Sequence, residues 1–82
     1  MKVGQTVHVV CPRRIPSGGY SWHVETRQVV SADREMVCVC GTPSGRLAFH
    51  RAAQVYENVG IAAQVRDDYE RAGLTPQEVF GE

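Results

Sequence analysis

The side chains in this chain best suited to holding a metal or acting as a nucleophile are His8, Cys11, His23, Cys38, Cys40 and His50. Cys38-x-Cys40 places two sulfurs on one side of an extended strand, which is the strongest element of a metal site here. His8 and Cys11 are three apart, so on a strand they point to opposite faces. No pair has the two-residue knuckle spacing of zinc fingers and ribbons. The cysteines therefore read as small buried hydrophobes, and neither a metal nor a cofactor is expected. A Cys–His pair or a Ser–His–Asp set can be drawn from the composition, but none stands in a nucleophile elbow or at a helix start. Asp67 and Asp68 are adjacent on a helical stretch and diverge by about 100°, so they form a solvated face, not an acid/base pair. No catalytic residue is assigned, and the chain is not expected to be an enzyme.

The remaining chemistry is that of a surface. Arg13 and Arg14, Tyr20, and Arg46, His50 and Arg51 could meet on one side of a small domain, where arginines clamp phosphates and aromatics stack. Nine Lys and Arg balance nine Asp and Glu, which argues against a dedicated nucleic-acid coat or a polybasic membrane binder. The balance hides a split. Residues 1–55 carry seven basic against three acidic residues, a net +4, and residues 56–82 carry two against six, a net −4. The expected function is a non-catalytic binding or assembly module that recognises a partner protein or itself. The alternative is a nucleic-acid-binding barrel that uses the Arg/aromatic face, and a lesser one is a small oligomeric enzyme.

These side chains have to be positioned by one small domain, since 82 residues make one core and not two. Residues 3–11 alternate, with Val7, Val9 and Cys11 on one face, and Pro12 is expected to end this strand. Arg13 to Gly19 reads as a long loop. Residues 20–30 form a long strand in which Tyr20, Trp22 and Val24 share a face. Val29 and Val30 fall out of phase with them, which suggests a bulge near Arg27. A polar turn over Ser31 to Arg34 precedes a central strand over 35–41. Thr42-Pro43-Ser44-Gly45 reads as a tight turn, and Leu47 and Phe49 are expected to point inward from the next strand. Arg51-Ala52-Ala53 suits a single helical turn, and Gln54-Val55-Tyr56 a short fifth strand.

From Asn58 the period changes to three and four, with Ala62, Val65, Tyr69 and Ala72 on one stripe. Asn58 is the expected N-cap and Gly73 the expected C-terminal exit. Thr75-Pro76-Gln77-Glu78 repeats a helix start with a capping box. The expected core is Val7, Val9, Trp22, Val24, Val37, Val39, Leu47, Phe49 and Val55.

In this layout the chain resembles the small SH3-like barrels over residues 3–57. The resemblance implies a mainly β fold: a five-stranded SH3-like barrel, then an amphipathic helix over 58–73 that closes one end and a short terminal helix over 75–80. Gln54-Val55-Tyr56 is also similar to the Gln-Ile-Tyr of the small plasmid-borne dihydrofolate reductases. There the tripeptide precedes the single helical turn, whereas here it follows it, so no catalytic role is carried over.

The terminal helix is too short to hold without packing. Leu74, Val79 and Phe80 therefore need a surface, either the chain's own barrel or that of a second copy, and the expectation drawn is a homodimer. The N-terminal residues show no continuous apolar run of a signal sequence or membrane span, and three cysteines are poor material for a disulfide framework. The expected location is the cytoplasm.

Overall fold

The computed structural model describes residues 1–41 and 45–81. The turn expected over 42–44 lies outside them. β1 (Thr6–Arg14) and β2 (Tyr20–Ala32) form a long antiparallel hairpin, with Thr6 opposite Gln28 at one end and Arg14 opposite Tyr20 at the other. Pro12 does not end β1. It pairs with Trp22, at a position where the backbone nitrogen faces away from β2, so the missing N–H removes no ladder bond. The loop thus shrinks to 15–19, where Ile15 donates to the Gly19 carbonyl and Gly18 to that of Ile15. Gly18 and Gly19, at φ 109° and 80°, make that turn possible.

β3 (Met36–Cys40) pairs with the far half of β2, and β4 (Ala48–Arg51) pairs with β3. A 3₁₀ turn over Ala52–Gln54 leads into β5 (Val55–Tyr56), which pairs with β1. The strand order β4-β3-β2-β1-β5 is that of the expected SH3-like layout, and the sheet curls into a half-barrel with β4 and β5 as its edges. The irregularity expected near Arg27 lies further on, between Val29 and Ser31. Val29 is out of phase with Trp22 because the two face opposite sides of the sheet, not because the strand breaks between them.

Both faces of this sheet are apolar. The concave face holds Val7, Val9, Val29, Val37, Val39 and Val55, with Cys11, Ala48 and Ala52 at its margin. The convex face holds Val10 and Trp22 against Ala62, flanked by Val24, Tyr56, Val65, Tyr69, Val79 and Phe80. The cover is α1 (Val59–Ala72), which packs across β1, β2 and β5 on this convex face and does not plug an end of the barrel. Asn58 caps it by accepting from the Gly60 and Ile61 N–H groups, and Gly73 leaves it at φ 65°. α2 (Pro76–Phe80) follows with the full capping box of Thr75 and Glu78.

Trp22 joins these layers. It is 1% exposed, its indole N–H donates to the Leu74 carbonyl at 3.1 Å, and its backbone N–H donates to Glu70 Oε1 at 2.9 Å. Tyr69 meets its ring edge-on at 4.9 Å between centroids, and Phe80 lies 5.9 Å away. Val79 and Phe80 thus pack on the chain's own barrel, and Leu74 meets it through its carbonyl.

Leu47 and Phe49 are not core residues: they are 55% and 66% exposed. The register Val37↔His50 and Val39↔Ala48 turns Ala48 and His50 to the concave face. The buried valines of β3 leave room there for the small Ala48 and a half-buried imidazole. Phe49 is placed opposite Cys38 on the outside. Since side chains alternate with period two, this one-step change of phase moves the whole strand's apolar set to the other face. Val24, expected in the same core as Val7 and Val9, belongs instead to the helix-covered layer.

Truncating Trp22 to alanine should cost about 3–5 kcal/mol in urea unfolding. Phe49→Ala should stay within about 0.5 kcal/mol of the parent. Equal losses at the two positions would contradict this placement.

Candidate binding groove at the open edge of the half-barrel

β4 is an edge strand, and a hollow of about 320 Å³ runs beside it, lined by Phe49, His50 and Arg51 with Met36, Cys11, Pro12, Gln54 and Phe80. Phe49, His50 and Arg51 are consecutive, so their side chains alternate between the two faces of the sheet. Three such neighbours can line one hollow only if it follows the strand's edge. Its far wall is the end of β1 and the tip of α2, and Gln54 Nε2 donates to the Val79 carbonyl at 3.4 Å between them.

Phe80 also lines a second hollow of about 430 Å³ with Tyr20, Thr75, Pro76 and Gln77. On the other side Met36 and Phe49 continue into a third, over Ser31, Ala32, Asp33 and Cys38. The three adjoin through shared walls and form one surface that wraps the open edge.

Among the described residues that line the first hollow Arg51 is the charged one, His50 stands next to it, and none is a carboxylate. Burial, and after it the charge of Arg27, holds the His50 imidazole below its ordinary 6.5. Arg27 is only 10% exposed and is anchored by an ion pair to Glu25, which also receives Arg13 at 3.0 Å. The Cys11 thiol is pushed above 9.0, chiefly by burial and next by Glu25. It is therefore protonated at neutral pH, the form that neither attacks a carbonyl nor ligates a metal.

The residues singled out in the sequence are partly brought together. His50 and Arg51 share the first hollow, and Tyr20 lies across Phe80 in the second. Arg14 stands opposite Tyr20 at the hairpin tip, while Arg13 turns to Glu25. Arg46 lies exposed in the bend before β4. Phe80, expected at an oligomer contact, separates the two hollows. Phe49 and Met36 are the contributors that the sequence pattern hides, Phe49 because the alternation of Leu47 and Phe49 points it inward. Cys38 and Cys40 share the convex face, and among the described residues no group of three His, Cys, Asp or Glu could hold a metal ion. Asp67 pairs with Arg66, and Asp68 lies 3.8 Å from Arg71, so the two carboxylates belong to the helix surface. Among the described residues no helix is long and apolar enough to cross a membrane.

A histidine that binds protons less well when folded makes the unfolded chain the stronger proton binder at mildly acidic pH. The contribution of His50 to stability is then complete above about 6.5 and declines as pH falls through and below that value. Urea midpoints measured from about pH 7.5 to 5 should fall more steeply for the parent than for His50→Gln. Parallel curves would contradict the burial of a neutral imidazole.

Compared with known proteins, the chain matches no protein-family model, no curated protein and no solved structure.

Proposed function

We propose that this chain is a small non-catalytic binding module that recognises a partner protein through the open edge of its half-barrel, with Phe49 as the anchor. The observation that carries this reading is the 66% exposure of a phenylalanine in the middle of a β-strand. Around it Leu47 and Met36 are 55% and 38% exposed, and the adjoining hollows extend the same surface. Contiguous apolar surface of this kind marks sites of association, and a central aromatic flanked by arginine is the usual composition of their strongest contacts. The free thiols of Cys11, Cys38 and Cys40 suit a reducing compartment, and we place the module in the cytoplasm.

Nucleic-acid binding through the Arg/aromatic face is the competing reading. It draws support from Arg14 and Arg51, for which no ion pair is described. It is weakened by Arg13, whose charge is matched by Glu25. The two readings part on salt, because phosphate contacts weaken steeply with ionic strength and apolar contacts do not.

Immobilised chain should retain a partner protein from extracts of the native host through a high-salt wash. Phe49→Glu should lower that retention at least about tenfold, as expected for an anchor residue, and joint replacement of Arg13 and Arg14 by alanine should leave it unchanged. Retention of nucleic acid that elutes with salt, is insensitive to Phe49→Glu and is lost with the arginines would replace this proposal with the other.

A further inference from the structure

In the β3–β4 ladder Ala52 donates to the Glu35 carbonyl at 2.8 Å, which fixes the phase of the pairing. His50 and Ala48, two and four residues back, are then the hydrogen-bonded positions opposite Val37 and Val39. Phe49 and Arg51 are the alternate positions: the N–H and C=O of Phe49 and the N–H of Arg51 point away from β3, while the Arg51 carbonyl, at the N-cap of the 3₁₀ turn, is engaged within that turn. An edge of unpaired backbone groups beside a slot is a template for one more strand.

From this geometry we infer that the open edge of β4 takes one extended segment of a partner protein as an added strand, with an apolar and an acidic side chain two residues apart. The inference rests on the binding reading above and names its mode and chemistry. Side chains two apart share a face. On the convex face the incoming strand meets Phe49 at one position and, at the next but one, the guanidinium of Arg51, whose partner in β3 is Met36. A hydrophobic residue fits the first and a carboxylate the second. The concave side offers His50 and Cys11, with Arg27 and its partner Glu25 behind them, so the residue between is small or hydroxylic. Among the described residues this lining carries the Arg51 cation and no carboxylate, which disfavours a basic strand. It also disfavours a second copy of β4, which brings Arg51 and no carboxylate to the pairing.

The probe is the peptide acetyl-Thr-Ile-Thr-Glu-Thr-Ile-amide, with amide hydrogen exchange read residue by residue. At saturation the Phe49 and Arg51 amides should exchange at least tenfold more slowly, while that of His50, already bonded to β3, should not change. A peptide N-methylated on its backbone, or one with Lys for Glu, should bind at least tenfold more weakly. Arg51 has φ −65°, the value that proline imposes, so Arg51→Pro keeps the fold but removes an edge donor and should lower binding at least tenfold. Arg51→Ala, which retains the N–H, should lose less.

Equal binding of the N-methylated peptide, protection on β5 instead of β4, or no protection at millimolar peptide would overturn the inference. Partner retention lost with Phe49→Glu but untouched by Arg51→Pro would overturn the added strand and leave the binding surface standing. Protection of the Phe49 and Arg51 amides that grows with protein concentration alone would make a second copy the occupant and overturn the peptide.

Discussion

One helix has to cover a sheet of five strands. A 14-residue helix is about 21 Å long and about 10 Å wide, whereas five strands at about 4.8 Å spacing extend about 19 Å from edge to edge. Curling brings the concave face together on itself, and its valines need no other partner. The convex face has no such solution. α1 packs mainly on β1, β2 and β5, and on the convex side of β3 and β4 Met36 and Phe49 stay exposed around a buried Cys38. The exposed apolar band follows from the width that one helix can cover, and it lies beside the edge strand β4.

What holds the helix over that half of the sheet is Trp22. The first half of β2 extends beyond β3, so its outer edge lacks a neighbouring strand, and the Trp22 N–H on that edge finds Glu70 instead. The indole N–H then ties the chain after α1 through the Leu74 carbonyl. Both bonds satisfy donors on a side chain and backbone that are otherwise buried, where an unmet donor is expensive. They fix where α2 begins, and α2 in turn places Phe80 as the wall between two hollows. The groove's geometry is thus set by a residue that does not line it.

The parts of this arrangement that could be read in the sequence are those governed by local rules. Asn58, Gly73 and the Thr75–Glu78 box fix the two helices because capping is settled within a few residues. The alternation of Val7, Val9 and Cys11, and of Val37 and Val39, likewise gave their inward faces. Two features escaped. Pro12 looks like a terminator because a proline's cost depends on which way its nitrogen points, and that is decided by pairing with a strand ten residues away. β4 has four residues, too few for its own pattern to outvote either phase. Its phase is set by the valines it meets, and having His50 instead of Phe49 on the inner face also changes which residues form the site.

The two edges of the sheet differ in how much ladder they leave open. β5 has two residues and is backed by α1, so it offers little ladder to a stranger. β4 is also short, but its slot is walled by α2, a helix of five residues that has no stability of its own and holds through Phe80 against Trp22, Val79 beside it and the Gln54 bond. α2 packs on the outer layer of Val10, Trp22 and Ala62 and not on the valine core, so the wall of the groove and the ties of Trp22 belong to the same layer. Under the added-strand reading one charge acts in two senses, for the Arg51 guanidinium that would receive a carboxylate would also disfavour a strand that brings a cation to the same place.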